Sequence, residues 1–311
     1  MQIRVIASPS VSSIRPGSWA AWRIALRPTS LWIATVPVLV ATCLAWSLAA
    51  AFDPATALVA FAASVLMQIV TNLQNDVGFT ERRTGNGVHV GLPRATANGW
   101  LTPREVKHAI LATIVIAALA TLPVMLRFGW PIVLIGAIST LAAYSYMGGP
   151  RPIAYTPFGE LAVFLFFGPV AVCGTYYLQT GEIGAAAWIA GAAIGALATA
   201  VLLVNNYRDR AYDVTTGRRT LAVVIGAAAS VRLYAALELV PFALMPVLAW
   251  VTRSVWIALP LLALPWAFRL VRDFTRMFDG PTQNALLVRA VMLEVGFGML
   301  LCAGALLHRW T

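Results

Sequence analysis

The chain has 311 residues, of which 60% are hydrophobic and only 11% are charged, and its mean hydropathy is +0.79. Soluble domains carry about 25% charged residues, so this composition excludes an ordinary soluble fold. The net charge of +10 comes from basic residues in short segments between apolar runs, which argues against nucleic-acid binding.

Apolar runs of about 20 residues recur along the chain, and each is long enough to cross a hydrocarbon core of roughly 30 Å as an α-helix. They predict an all-α, polytopic membrane protein with nine transmembrane helices. The seventh run is over-long, which indicates either a tilted helix or a short surface helix before the span. The predicted spans are residues 30–50, 55–75, 107–126, 129–147, 159–179, 184–206, 221–250, 255–271 and 287–307.

Basic residues fall mainly on one side of these spans. All but Arg127, Arg253 and Arg309 of the 22 basic residues lie in the N-terminal segment, in the loops after spans two, four, six and eight, or within the span ends next to those loops. Cytoplasmic loops retain basic residues, so we expect a cytoplasmic N-terminus in the cytoplasmic membrane. Residues 1–27 lack the pattern of a removable signal peptide and are expected to form a cytoplasmic segment before a single membrane domain, residues 28–311.

Two polar motifs stand at the ends of the second and sixth spans. Asn72 precedes Asp76 by four residues, and Asn205 precedes Asp209 by the same spacing, with Asp213 four residues further on. Residues four apart share a helix face, so each motif predicts a stripe of oxygen atoms. Four spans separate the motifs, and both are therefore expected on the same side of the membrane.

These stripes predict a site for Mg²⁺ and a diphosphate. Carboxylate and amide oxygens suit Mg²⁺, which is usually held by one or two carboxylates together with phosphate oxygens. A departing diphosphate needs positive charge, which metal ions and arginines supply. For any single arginine, the topology rule is an equally good explanation. The arginines beside the two stripes are Arg82, Arg83, Arg94, Arg208, Arg210, Arg218 and Arg219.

The loop after the fourth span predicts a pocket for an aromatic acceptor. Its Gly and Pro residues indicate a shaped turn, and its tyrosines offer flat apolar walls with polar tips. A belt of aromatic residues at the membrane interface is the alternative for each tyrosine. Glu160 is explained equally well as a first-turn residue favoured by the helix dipole. The candidate residues are Tyr144, Tyr146, Arg151, Tyr155 and Glu160.

Together these residues resemble the UbiA superfamily of membrane prenyltransferases, and more closely the MenA-type 1,4-dihydroxy-2-naphthoate polyprenyltransferases. The resemblance runs nearly end to end, and the stretch from Asn205 to Asp213 is its most specific part. The other stretches that carry it are Arg27-Pro28-Thr29-Ser30-Leu31, Asn72 to Asp76, Gly91-Leu92-Pro93-Arg94, Tyr144 to Gly149, Gly159-Glu160, Phe166-Phe167-Gly168-Pro169, Gly174-Thr175-Tyr176-Tyr177, Gly217 and Thr220-Leu221-Ala222-Val223.

The resemblance implies nine helices around a lipid-accessible central cavity, where two Mg²⁺ ions grip a prenyl diphosphate between the motifs. An electron-rich aromatic carbon attacks the prenyl chain, and in MenA-type enzymes the naphthoate loses its carboxylate as CO₂ to give demethylmenaquinone. The implied metal ligands are Asn72, Asn75, Asp76, Asp209 and Asp213. The implied catalytic residues are Asp76, Asp209, Asp213, Arg208 and Tyr146. Further implied contacts to the polyprenyl diphosphate or the acceptor are Asn72, Asn75, Arg82, Arg83, Arg94, Asn205 and Arg218.

The first motif departs from the family pattern. Family members usually have a further Asp three residues after the first motif's Asp, where this chain has Phe79, and another acidic residue where it has Gly85-Asn86. Glu81 is the candidate that substitutes as a metal ligand. A weakened or rebuilt first metal site, and an acceptor other than dihydroxynaphthoate, therefore stay open.

Three alternatives to this enzyme follow from the same residues. A related prenyltransferase would use another acceptor, such as a hydroxybenzoate or a glycerol-phosphate lipid. A transporter would use charged groups near the membrane centre, where only Glu238 and Glu294 lie. An inactive descendant of the enzyme is the third alternative, because of Phe79. The length of the prenyl chain and the oligomeric state cannot be read from the sequence.

Overall fold

The structure is a computed structural model that describes residues 14–82, 93–276 and 280–310. Arg83, Gly85, Asn86, Gly91 and Leu92, named above, lie outside these ranges. Within them, every regular element is a helix. The α-helices are α1 (Trp19–Leu26), α2 (Leu31–Ala49), α3 (Pro54–Glu81), α4 (Pro103–Phe128), α5 (Trp130–Ser145), α6 (Gly159–Leu165), α7 (Ala171–Thr180), α8 (Ala185–Thr215), α9 (Leu221–Thr252), α10 (Leu264–Arg276) and α11 (Gly280–Trp310).

These helices confirm the predicted polytopic architecture. In the described part of the chain, eight helical stretches are long and apolar enough to cross a membrane, and the shorter apolar helix α5 accompanies them. One stretch joins α6 and α7 through a π-helical segment, Phe166–Val170. Another begins with the 3₁₀ segment Val255–Ala263 and continues as α10. Only helices satisfy their own backbone hydrogen bonds in lipid, which is why each apolar run forms one.

Local residues fix where the helices begin. The Thr102 hydroxyl accepts a hydrogen bond from the backbone amide of Glu105, and the Glu105 carboxylate accepts one from the backbone amide of Thr102 at 2.7 Å. This reciprocal pair is a capping box at the start of α4. Asp53 caps α3 through the amides of Ala55 and Thr56. Arg27 has a left-handed backbone, φ 49°, which separates the short helix α1 from α2.

The over-long seventh span contains a break near its start. Gly226 leaves helical geometry with φ 76° and ψ 179°, so α9 consists of a short first part and a long second part. Glycine adopts this positive-φ backbone readily, whereas a residue with a side chain would be strained in it even though the space around Gly226 is open. This break divides the over-long span, and its short first part corresponds in position to the short helix expected before the span.

The long helix α8 lies at the centre of the bundle, and small residues let its neighbour approach closely. Gly168, in the π-helical segment, lies directly against Gly191 and Gly195 of α8. A Cβ atom at Gly168 would be 2.5 Å from the carbonyl oxygen of Gly191. Helices in membranes associate through such small residues, which permit backbone contact.

We expect Gly168→Ala to lower the free energy of unfolding by about 1–3 kcal/mol, since the new methyl group overlaps the α8 backbone. Thermal unfolding of the purified protein in detergent measures this loss. Gly174→Ala is the matched control, because a Cβ atom at Gly174 meets no heavy atom within 4 Å. Equal unfolding temperatures for both variants would contradict the packing described here.

Two acidic residues lie deep in the bundle. Glu238 of α9 and Glu294 of α11 are fully buried, and neither has an ion-pair partner among the described residues. At one end of the bundle, Asp53 and Arg127 form an exposed salt bridge at 2.6 Å. This end lies opposite the polar motifs, because it joins the start of α3 to the end of α4.

Candidate active site

A cavity of ≈ 1680 Å³ runs between the helices and has one polar end. Apolar side chains line most of its length, including Met67, Ile114, Val124, Phe166 and Phe167. Ser30 and side chains of both motif helices supply the polar end. The polar and charged side chains that line this end are Arg23, Arg27, Ser30, Gln68, Asn72, Asn75, Tyr146, Asn205 and Asn284. A long apolar molecule with a polar head matches this distribution.

The first aspartate anchors its own loop. Asp76 is completely buried, and its two carboxylate oxygens accept the backbone amides of Ala95 and Thr96, each at 2.8 Å. The Thr96 hydroxyl also lies 2.6 Å from the Asp76 Oδ1 atom. Asp76 therefore holds the loop that carries Arg94, and it does not line the cavity itself.

Asn72 and Asn75 do line the cavity. The Asn72 side-chain amide donates to the carbonyl oxygen of Leu26 and to the hydroxyl of Ser30, both at 2.8 Å, which ties α3 to the chain before α2. Arg94 donates to the Asn75 side-chain oxygen at 3.3 Å. Both asparagine side chains are thereby held in fixed orientations at the polar end.

Phe79 stands where the resemblance led us to expect an acidic residue. The Arg94 guanidinium lies 4.6 Å from the centre of its ring, a cation–π contact. Glu81 forms a 2.6 Å salt bridge with Lys107 on partly exposed surface, apart from the residues that line the large cavity. An aromatic ring and an arginine fill the position of the expected acid, and the role of Glu81 as a metal ligand stays a prediction.

The second motif carries two carboxylates, each bound by an arginine. Asp209 is held by its neighbour Arg208 through two hydrogen bonds of 2.8 and 2.7 Å, with both side chains nearly buried. Arg208 also donates to Asn284 of α11 at 2.6 Å. Asp213 is completely buried and pairs with Arg218 at 2.9 Å. Each carboxylate is therefore compensated by a guanidinium.

The two motifs meet at one end of the bundle, as their separation by four spans predicted. The ring of Phe79 stacks on that of Tyr212, with 6.2 Å between ring centres. Burial lowers the pKa of the Arg94 guanidinium. Charges from both motifs also act on this group, namely those of Arg27, Asp76, Arg218 and Asp209. One mouth therefore contains the polar groups of both helix ends.

The loop after α5 covers this mouth. Tyr155 lies between two arginines, with ring-centre distances of 6.0 Å to Arg82 and 5.3 Å to Arg218. Arg82 also donates to the backbone carbonyls of Met147 and Gly149. These contacts fix Arg82 to the loop.

The other residues predicted for the acceptor pocket separate into two groups. Tyr146 lines the cavity and Tyr144 lines it while remaining 44% exposed. Glu160 is buried beside Tyr146, and its Oε1 atom accepts the Asn206 side-chain amide at 2.9 Å. Arg151 is exposed on the loop surface. Tyr146 therefore lies at the cavity wall with Glu160 close to it, while Arg151 does not join them.

Buried arginine N–H groups without partners indicate whether a metal-bound diphosphate fits the site. The Nε atoms of Arg27, Arg94 and Arg218 are buried without a hydrogen-bond partner in the described part of the chain. Buried N–H groups rarely lack an acceptor, so these three suit an anion with several oxygens. No cluster of three or more His, Cys, Asp or Glu side chains forms a complete metal site among the described residues. The oxygen donors fit Mg²⁺ when phosphate oxygens complete its coordination.

Several residues at the polar end were not predicted as site residues. Arg27 joins the site because its left-handed backbone ends α1 there, and the Arg27-Pro28 sequence at a span entrance was a usable signal. Gln68 sits one helical turn before Asn72 and donates to it at 3.0 Å, which the four-residue spacing also indicates. Asn284 comes from the last helix, and no local pattern marks it.

Comparison with known proteins places these features in context. The model of the UbiA prenyltransferase family matches residues 34–293. The 1,4-dihydroxy-2-naphthoate octaprenyltransferase of Escherichia coli (strain K12) is 33% identical over 300 residues, which cover 94% of this chain and 96% of the relative. The enzyme of the same name from Mycobacterium tuberculosis is 38% identical over 253 residues, covering 81% of this chain and 85% of the relative.

A solved structure shows the same fold. The UbiA homologue from Archaeoglobus fulgidus, bound to GPP and Mg²⁺, superposes with a TM-score of 0.64 at 14% sequence identity. The match covers 90% of this chain and 99% of that one. At this identity, the likeness concerns the fold, and the predicted helical architecture is confirmed by it.

Proposed function

Because the chain belongs to the UbiA prenyltransferase family and is a multi-pass membrane prenyltransferase, we propose that it transfers a polyprenyl chain from its diphosphate to 1,4-dihydroxy-2-naphthoate. The transfer releases diphosphate and CO₂ and supplies a precursor of menaquinone. The relatives that are named as enzymes with this activity match most of this chain, which supports dihydroxynaphthoate as the acceptor. The observation that carries the proposal is the long apolar cavity whose polar end includes Arg27, a residue whose buried Nε atom has no hydrogen-bond partner among the described residues.

We propose that the polar end binds the diphosphate and that the apolar length holds the prenyl chain. Arg94, held by Asn75 and Phe79, and Arg218 donate to phosphate oxygens. Arg208 joins them when it releases Asp209. The remaining proposed contacts are Arg82, Arg83, Asn205 and, for the acceptor, Tyr144, Tyr146, Arg151, Tyr155 and Glu160.

Mg²⁺ is the proposed cofactor. Its proposed ligands are Asp209, Asp213, Asn72 and Asn75, with Asp76 and Glu81 as the other candidates. When bound, Mg²⁺ supplies positive charge that stabilises the departing diphosphate. The protein's part is to hold carboxylate and amide oxygens at one mouth and to exclude water with the covering loop.

The proposed setting is the cytoplasmic membrane, with the N-terminal segment and the mouth of the cavity on the cytoplasmic side. The basic residues of the loops support this orientation. Residues 28–311 form one membrane domain in this proposal.

Purified protein with Mg²⁺, a polyprenyl diphosphate and dihydroxynaphthoate is expected to give a prenylated, decarboxylated quinol, identified by its mass. Omission of Mg²⁺ with a chelator present is expected to abolish the product. A parallel panel of hydroxybenzoates and a glycerol-phosphate lipid is the acceptor control. Absence of product with dihydroxynaphthoate at every chain length, alongside product with another acceptor, would refute the proposed acceptor.

A further inference from the structure

A buried carboxylate near the cavity has one oxygen without a hydrogen-bond partner of normal geometry among the described residues. Glu160 is 3% exposed, and Asn206 of α8 fixes its Oε1 atom at 2.9 Å. No hydrogen bond of normal geometry reaches the Oε2 atom from the described residues, although the Leu221 amide faces the same carboxyl group. A buried carboxylate oxygen left in this way is costly, so a functional partner is expected.

The Tyr146 hydroxyl lies close to the helix start that carries this carboxylate. It lines the cavity, and a Cβ atom at Gly159, the residue before Glu160, would lie 3.8 Å from its hydroxyl oxygen. Burial raises the pKa of the Tyr146 phenol, and the charge of Glu160 raises it further. The phenol therefore keeps its proton and has a hydroxyl group at the wall. Val163, one turn beyond Glu160 on the same helical stretch, also lines the cavity.

We propose that Tyr146 contacts a ring hydroxyl group of the acceptor and that Glu160, positioned by Asn206, takes up the proton through Tyr146. This inference rests on the proposed function and deepens it. It selects acceptors with a hydroxyl group at this wall, because the Glu160 carboxylate attracts an O–H donor and repels a second carboxylate. The acceptor's own carboxylate then faces the arginines at the mouth.

Every proton and bonding electron pair in the proposed transfer has a defined destination. The acceptor hydroxyl passes its proton to the Tyr146 oxygen as the Tyr146 proton moves to Glu160. The oxygen lone pair then raises electron density at the ring carbon that bonds to C1 of the prenyl chain. The C1–O bond breaks, and diphosphate leaves with the bonding electrons. The carboxylate leaves that ring carbon as CO₂, its bonding electrons return to the ring, and the proton returns to the oxygen.

Three variants test this arrangement: Glu160→Gln, Tyr146→Phe and the double variant. Each single variant is expected to lower kcat for dihydroxynaphthoate by about 100-fold, the usual scale for lost proton transfer. The double variant is expected to be no slower than the slower single variant, because the two residues act as one unit. Binding of the prenyl diphosphate with Mg²⁺ is expected to stay within about twofold, since neither residue contacts it.

Acceptor binding gives a second readout that does not need turnover. The fluorescence of dihydroxynaphthoate reports its affinity, compared with that of its dimethyl ether. Wild-type protein is expected to prefer the free hydroxyl form, and both single variants to lose that preference. The inference would be overturned if the losses of kcat in the two single variants multiplied in the double variant. It would also be overturned if wild type and variants showed the same preference for the free hydroxyl form over the dimethyl ether. If wild-type protein prenylates dihydroxynaphthoate and Glu160→Gln does so at the same rate, this inference alone is refuted. If wild-type protein prenylates only other acceptors, the proposed acceptor is refuted.

Discussion

Asp209→Asn is expected to lower kcat for prenyl transfer by at least about 100-fold, in line with the loss of a group that stabilises the charged transition state. Asparagine keeps the shape and one acceptor oxygen, so Arg208 retains a hydrogen bond. It removes the negative charge that a bound Mg²⁺ requires. Asp209→Ala is expected to abolish turnover. Prenyl transfer is measured by product mass, and folding by thermal unfolding in detergent.

The control for Asp209 is Asp273→Asn. Asp273 also pairs with an arginine, Arg289, at 2.8 Å, and it lies on α10 near the same end of the bundle. Asp273 belongs to neither polar motif, and its side chain is 18% exposed, whereas that of Asp209 is 8% exposed. We expect this variant to keep its turnover within about twofold, because surface ion pairs contribute little. Full activity of Asp209→Ala would show that the assignment of the diphosphate grip is incorrect.

Asp76→Ala is expected to lower the free energy of unfolding by about 3 kcal/mol or more, because hydrogen bonds to a buried charge are strong and the amides of Ala95 and Thr96 lose their acceptor. Turnover is expected to fall with it, since the released loop carries Arg94. Thermal unfolding and diphosphate affinity, measured on the same preparation, test both effects.

A milder substitution in the same loop is expected to cause a smaller loss of stability than Asp76→Ala. Thr96→Val removes only the hydroxyl group that lies 2.6 Å from Asp76 and 2.6 Å from the Thr80 hydroxyl. Its expected cost is about 1 kcal/mol. If Asp76→Ala kept its unfolding temperature and lost only Mg²⁺-dependent diphosphate binding, Asp76 would be a direct metal ligand and not a loop anchor.

Phe79 illustrates a departure whose effect the sequence could not reveal. The missing acid suggested a weakened metal site, with Glu81 as the replacement. In the structure, Phe79 contacts Arg94 and Tyr212, while Glu81 binds Lys107. The aromatic ring therefore joins the two motifs and holds an arginine beside Asn75. Its partners come from the following loop and from α8, which no local pattern around residue 79 specifies.

The sequence by itself determined the helical class, the approximate number of spans and the placement of both motifs at one end of the bundle. These features follow from apolar length and from the four-residue spacing, because a chain in lipid must satisfy its backbone within each helix.

Only the tertiary structure decided which oxygens remain available for a ligand. Asp76 accepts a hydrogen bond from Thr96, 20 residues away, and Arg208 donates one to Asn284, 76 residues away. Such partners depend on how the helices pack, since hydrogen bonds in a buried site are shared among segments distant in sequence. The availability of Glu160 near the cavity became visible for the same reason.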